Sequence, residues 1–325
     1  MPFDPAKDIP DLSGRVIFIT GGQQRRSDLV YRFSHRSGTS GIGKAAVLTL
    51  AAHGPSKIYF TGRNAQAGHD VVAEVESATP SVQTTFIQCD LASSRQAIRE
   101  AVTKNFTSTQ LHIFIADAGI MATPAGLTQD GFEVQFGTNY LGHALLLQLL
   151  RPHLLYTARQ GHDTRVVVVS SFGHTMAPPS GIDFDNLQNA NAGTTWQRYG
   201  QSKLADIFLA KSLAKHHPEI TSVSVHPGLV RTQLSSGVET SFMTPVFKLM
   251  RWTPLYQSAE KGAYNVLWAA TAPKDQIQSG MYYEPVGKVP GKAAKGFGQS
   301  KLVHDESLAE KLWEWTEKEL SDVAQ

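Results

Sequence analysis

Cysteine, net charge and long apolar runs are all scarce in this 325-residue chain, and each scarcity excludes a class of protein. The lone cysteine, Cys89, has no partner within the chain, so no internal disulfide framework exists and a reducing, cytoplasmic setting is expected. Thirty Lys and Arg stand against 28 Asp and Glu, a formal charge of +2, which gives neither nucleic acid nor an anionic membrane surface electrostatic support as a partner. The most apolar stretch, Leu141 to Leu155, is broken by His143, Gln148, Arg151, Pro152 and His153, and reads as a buried helix rather than a membrane span. Met1 to Asp11 carries acidic residues and prolines where a signal peptide would have basic residues and an apolar run. No repeat, low-complexity tract or linker interrupts the sequence.

What is present is a hydrophobic content of 41%, enough for a large core, arranged as short β-branched runs alternating with longer helical patterns. That alternation is the sequence form of βαβ units and a parallel sheet. Strands are expected at Arg15 to Thr20, Lys57 to Thr61, Gln83 to Gln88, Leu111 to Ala116, Arg165 to Ser170 and Thr221 to His226, with a weaker seventh near Ser279 to Tyr283. Seven helices are expected, at about 41–53, 65–77, 93–106, 130–156, 196–216, 258–271 and 306–320. The last places Leu308, Leu312, Trp315 and Leu320 roughly on one face, which core packing explains without a cofactor. Pro178 to Thr194 and Ser235 to Ser258, rich in Gly, Pro, Ser and Asn, are long irregular stretches of the kind that carry function.

Chemistry concentrates at Arg198-Tyr199-Gly200-Gln201-Ser202-Lys203, where one helical turn sets a phenol and an ammonium on the same face. A nearby ammonium favours phenolate, which suits an acid/base group in carbonyl–alcohol interconversion. A second signal follows the first strand. If Gly22 to Ser37 is set aside, Thr20-Gly21 joins Gly38-Thr39-Ser40-Gly41-Ile42-Gly43-Lys44, a glycine turn between strand and helix that lets backbone amides approach a pyrophosphate. The segment set aside is polar and aperiodic, with four Arg against one Asp; without it 26 basic residues face 27 acidic ones. It reads as a retained in-frame intron of 48 nucleotides, with a Gly22 codon able to supply a GT donor and the Ser37-Gly38 junction an AG acceptor, or else as a surface loop. If translated, it sits where a phosphate must bind.

The glycine turn, Asp90 after the third strand, Ala116-Asp117-Ala118-Gly119 after the fourth, Asn139, Ser171, Tyr199 with Lys203, and Pro227-Gly228-Leu229-Val230-Arg231-Thr232 after the sixth resemble the short-chain dehydrogenase/reductase family, in its order and over nearly the whole chain. The resemblance implies a single doubly wound, Rossmann-type α/β domain over residues 1–325, with a mostly parallel seven-stranded sheet and helices on both faces. It also implies an oxidoreductase in which Tyr199 exchanges the proton, Ser171 donates to the substrate oxygen, Lys203 lowers the phenol pKa and binds the nicotinamide ribose, and Asn139 holds a water that links Lys203 to solvent. The same resemblance sets Gly21, Gly41, Ile42, Gly43, Asp117, Val230 and Thr232 beside the dinucleotide, and Asp90 and Leu91 beside the adenine; Asp90 equally suits a helix N-cap. Arg63, ending the second strand where an acidic residue would bind a ribose 2′-hydroxyl, favours the 2′-phosphate of NADP. Lys44 supplies either a second positive charge there or a solvated side chain.

Two departures from the family stand out: Ala116-Asp117-Ala118-Gly119 replaces the usual Asn-Asn-Ala-Gly, and 28 positions separate Ser171 from Tyr199. That gap, with Asn139-Tyr140-Leu141-Gly142-His143 and His226-Pro227-Gly228, is similar to the retinol-dehydrogenase-like branch and its soluble fungal members. Phe242 to Trp252, within a 235–258 segment where the family places its substrate lid, carries large apolar groups. They suit a small hydrophobic carbonyl or alcohol, such as a ketone of fungal secondary metabolism, or equally an amphipathic helix packed on the body. Family habit suggests a homo-oligomer; a non-catalytic NADP sensor and an enzyme impaired at its first turn are the competing readings. Sequencing of the mature transcript is expected to show the 48 nucleotides of Gly22 to Ser37 removed; a dominant message that reads through them rejects the intron.

Overall fold

The computed structural model describes residues 3–21, 41–230, 256–290 and 298–321. The 22–37 segment, Thr232 and the Phe242–Trp252 segment lie outside the described residues. Seven strands, β1 (Val16–Ile19), β2 (Lys57–Gly62), β3 (Gln83–Gln88), β4 (Ile113–Ala116), β5 (Arg165–Val169), β6 (Thr221–Val225) and β7 (Tyr282–Tyr283), form one sheet in the order β3-β2-β1-β4-β5-β6-β7. Every pairing is parallel, so the expectation of a mostly parallel sheet understated it. The strand order reverses between β1 and β4, whose register pairs Ile17 with Ile113 and Ile19 with Ile115. In an open parallel sheet such a switch point is where a ligand crevice forms.

The strands read as unbroken apolar runs because both faces are covered. Alternate side chains leave on opposite sides. Phe18, Tyr59, Phe114, Val166 and Val168 pack beneath α4 (Arg95–Asn105), α6 (Gly142–Arg159), α7 (Thr195–His216) and α9 (Glu306–Glu319). Ile17, Ile19, Ile58, Phe60, Ile115 and Val167 pack beneath α2 (Ile42–Ala51), α3 (Ala65–Ala78) and α8 (Ala259–Thr271). Short polar side chains start the helices: Asn64 accepts from Ala67 N at 2.9 Å, and Ser94 from Ala97 N at 3.2 Å. Thr194 and Gln197 form a reciprocal capping box at the head of α7. The two-residue β7 is held at its end by Asn265, whose side-chain amide donates to the carbonyls of His226 and Tyr283.

One expected element differs. The helix drawn from residue 130 begins at Val134, because Glu133 folds back to cap it, its carboxylate accepting from Gln135 N and Phe136 N. After the turn α5 (Val134–Phe136) the chain widens into a π-helical segment, Gly137–Leu141, before α6. Such a bulge frees backbone groups in mid-helix and is often found at functional sites.

α7 lies against the short 3-10 turn Phe172–Met176 that follows β5. A Cβ at Gly200 would sit 2.5 Å from the Met176 carbonyl carbon and closer still to Ala177 N, while one at Gly173 would overlap the Tyr199 ring. Glycine in a helix interior is otherwise about 1 kcal/mol worse than alanine, so Gly200 is there for the approach and not for the helix. Gly200→Ala is expected to lower the unfolding free energy by about 3 kcal/mol despite the gain in helix propensity. Urea unfolding checks this; a variant as stable as the parent would show that the approach has slack.

Candidate active site at the carboxyl edge of the sheet

Gly21 follows β1, Arg63 β2, Asp90 β3, Asp117 β4, Ser171 β5 and Val230 β6, so the site residues expected from the sequence line one edge of the sheet. At its centre Ser171, in extended backbone at the end of β5, accepts from Gly173 N at 3.0 Å, and its hydroxyl and the Tyr199 ring both border Gly173. The two side chains therefore converge, and Ser171 draws the Tyr199 pKa down. Ser170 fixes the register between strand and helix, its hydroxyl donating to Lys203 O at 2.7 Å.

Tyr199, Lys203 and Asp206 are 2%, 5% and 1% exposed, so solvent does little to screen their charges. Lys203 Nζ donates to Val169 O at 2.9 Å and to Asp206 Oδ2 at 2.7 Å. Burial works against the ammonium, but Asp206, Tyr199 and Asp117 more than offset it and hold the Lys203 pKa above its ordinary value. The phenol behaves differently from the simple expectation. Burial raises the Tyr199 pKa, and Asp206 adds to the rise, against the lowering effects of Lys203 and Ser171. Lys203 does pull toward phenolate, yet in this closed setting it does not win.

Asn139, on the π-helical segment, is wholly buried, and its side chain is engaged on both sides. Its amide donates to Ile120 O and Ser202 Oγ, both at 2.9 Å, and its oxygen accepts from Ile120 N at 2.8 Å. The next loop residue but one, Ala122, has φ of 49°, a strained left-handed conformation, and its N–H donates to Gln135 Oε1 at 2.8 Å. Two further polar pairs tie α5 to α7: Gln135 donates to Thr195 O at 3.0 Å, and Arg198 pairs with Glu133 at 3.3 Å.

On the cofactor side, Gly21 has φ of 74°, and a Cβ at Gly43 would lie 2.5 Å from Gly21 O and 2.9 Å from Asp117 Oδ2. Asp117 Oδ2 lies close against Gly43, so the carboxylate standing where the family has an amide still meets the head of α2. Burial pushes its pKa up to about 7, against the pull of Lys203. Gly41 is the N-cap of α2 and Ile42 its first residue. A cavity of about 320 Å³ opens beside β2, β3 and α4, lined by Arg63, Cys89, Asp90 and Ser93 among others. Arg63 is exposed there. Asp90 accepts from Ala92 N at 3.0 Å, an Asx turn and not a helix cap, since Ser94 caps α4. Leu91 is buried against Gly142. Lys44 is partly buried, and its Nζ pairs with Glu74 at 2.7 Å. Val230 packs against Gly262 of α8. The glycines, the cavity and Arg63 together fit a dinucleotide lying along this edge.

Sequence reasoning missed Thr20, His143, Ser202 and Asp206. Thr20 Oγ1 accepts from Asp117 N and Ala118 N, both at 2.9 Å, so its own hydrogen goes to His143 Nε2, 2.8 Å away. His143 Nδ1–H then donates to Asn139 O at 2.6 Å. Helical spacing could have found two of these, since His143 is four residues beyond Asn139 and Asp206 three beyond Lys203. Among the described residues no cluster of metal-ligating side chains occurs, and no helix is long and apolar enough to cross a membrane.

A family model described as short chain dehydrogenase matches residues 37–183. The chain is 34% identical over 326 residues to the short-chain dehydrogenase/reductase drtF of Aspergillus calidoustus, covering 96% of this chain and 95% of that protein. It is 35% identical over 250 residues to the human polyprenol dehydrogenase, covering 75% of this chain and 74% of that one. An uncharacterised Mycobacterium paratuberculosis protein of known crystal structure superposes with a TM-score of 0.68 at 25% identity, over 98% of this chain and 97% of the other.

Burial pushes the pKa of His143 down to about 4, as it does for His112 and His226. The unfolded chain then takes up protons first, so the stability these histidines contribute is complete above about 6.5 and is lost as pH falls toward 4. Asp117 and Asp206, raised to about 7 and about 6, act in the opposite sense, gaining stability as pH falls through those values. His143→Gln is expected to be less stable than the parent at pH 7. The gap should narrow by roughly 2–3 kcal/mol between pH 6.5 and 4. Urea unfolding at the two pH values measures it, and parallel losses would remove His143 from the acid response.

Proposed function

The chain belongs to the short-chain dehydrogenase/reductase family of NAD(P)-dependent oxidoreductases, and on that footing we propose that it uses NADP to interconvert a hydrophobic ketone and its alcohol. The observation that carries this reading is the convergence of the Ser171 hydroxyl and the Tyr199 ring beside Gly173, with the Lys203 ammonium one helical turn further along α7. A bound nicotinamide would supply the hydride to the carbonyl carbon. As negative charge develops on the substrate oxygen, Ser171 donates a hydrogen bond to it and Tyr199 transfers its proton, leaving a phenolate. Lys203 stabilises that phenolate. In oxidation the same phenolate accepts the alcohol proton as hydride leaves. Asn139 acts in this scheme by fixing the 120 loop against α7, because its side chain is already engaged with Ile120 and Ser202.

Arg63 supports NADP, since its guanidinium stands at the cavity mouth after β2, where it can pair with a 2′-phosphate. Lys44, paired with Glu74, is less free than Arg63 to serve the same phosphate. The apolar residues of Phe242 to Trp252, and the likeness to a polyprenol dehydrogenase, support a hydrophobic substrate of the polyketide, terpenoid or lipid-derived kind. Tyr199→Phe is expected to reduce NADPH-linked turnover of an apolar ketone by about 1,000-fold or more while leaving the Kd for NADPH nearly unchanged. Single-turnover absorbance at the nicotinamide band and fluorescence titration measure the two. Turnover retained by the variant would remove the phenol from the reaction.

A further inference from the structure

Asp206 has no place in the scheme above, yet it is the side chain that grips Lys203. An ammonium has three hydrogens. Two are occupied by Val169 O and Asp206 Oδ2, which leaves one for everything else Lys203 does. The other oxygen of the carboxylate, Oδ1, is buried and has no hydrogen-bond partner among the described residues. A buried ion pair left half-satisfied in this way is poor at stabilising a fold. It is, by contrast, effective at projecting charge, because neither solvent nor a neighbouring donor screens it.

Tyr199 and Asp206 lie seven residues apart on α7, about 10 Å along the helix axis, with Lys203 between them. The ammonium pulls the phenol toward ionisation, and the carboxylate beyond it pulls the other way. Among the described residues, the groups that face this cluster from other elements are Asp117 after β4, Tyr140 on the π-helical segment, His143 on α6 and Tyr282 of β7. Burial holds His143 neutral and keeps the Tyr140 and Tyr282 phenols un-ionised. Apart from Asp117, then, none of them brings a compensating charge.

We propose that Asp206 is a positioning residue for proton transfer: it fixes the Lys203 ammonium against the Val169 carbonyl and sets an unscreened negative charge beyond it, keeping Tyr199 in its proton-bearing form. The site is thereby poised to donate a proton to a carbonyl, which makes ketone reduction the direction favoured over the widest pH range. This rests on the oxidoreductase reading for its meaning, but its central claim concerns the ionisation of one phenol and can be measured without turnover.

The ionisation of Tyr199 is read from the ultraviolet difference between the protein and its Tyr199→Phe counterpart as pH is raised. Asp206→Asn keeps the shape and the bond from Lys203 but removes the charge, and is expected to lower the Tyr199 midpoint by roughly one pH unit. Asp206→Glu keeps the charge and should restore the parent midpoint. If the amide variant fails to fold by circular dichroism, Asp206→Ala supplies the uncharged state and the same shift is expected. An unmoved midpoint in the uncharged variant overturns the proposal, and so does an equal fall in Asp206→Glu. The alkaline limb of kcat/KM for NADPH-linked ketone reduction should move down with the midpoint in Asp206→Asn. A parent protein that turns over no ketone or alcohol would overturn the oxidoreductase reading instead, while the spectroscopic result would still decide the role of Asp206.

Discussion

Lys203 carries a full positive charge into a region that solvent scarcely reaches, and such a charge persists only where acceptors and anions surround it. The Val169 carbonyl at the end of β5 is one acceptor, so α7 must lie against that strand, within a hydrogen bond's length. Gly200 and Gly173 make the approach sterically possible, and the Ser170 hydroxyl locks it in register. Once helix and strand are so placed, the Ser171 and Tyr199 side chains converge beside Gly173. The geometry of the reactive pair thus follows from the requirement to satisfy one ammonium.

A second set of bonds joins the dinucleotide side of the crevice to the chemical side. Thr20 at the end of β1 holds the backbone of Asp117 and Ala118, His143 links Thr20 to the Asn139 carbonyl, and Asn139 links the 120 loop to Ser202 on α7. Each group in the chain has its donors and acceptors matched, which lets a buried polar network stiffen a site instead of weakening it. The π-helical segment contributes by turning the Asn139 carbonyl toward His143.

The parallel sheet was legible because a strand buried on both faces must be apolar throughout, and Val16 to Ile19 or Arg165 to Val169 can be little else. Helix heads were legible where a short polar residue precedes an apolar period, as at Asn64 and Asp305. The start of α5 was not, since Glu133 caps through a longer side chain and its N–H is taken by the distant Leu187 carbonyl. At the site, the sequence pattern named the side chains that meet, but it could not rank opposing electrostatic effects. Spacing alone says that Lys203 adjoins Tyr199; only the degree of enclosure shows that burial and Asp206 outweigh it. Lys44 was ambiguous for a related reason, because its partner Glu74 comes from a different helix thirty residues away.

The 28 positions between Ser171 and Tyr199 gain a different significance from this architecture. The reactive pair is anchored by β5 and by the body of α7, and the residues from 178 to 193 between them meet α7 through backbone groups, the Asp183 N–H at Gln201 Oε1 and the Gly193 carbonyl at Arg198. Contacts made by the backbone survive a change of side chain, so the exposed positions of that stretch are free to change composition over evolutionary time without disturbing the reaction. Descendants of one ancestral catalyst could acquire new clientele by rewriting it, while the machinery beneath stayed the same.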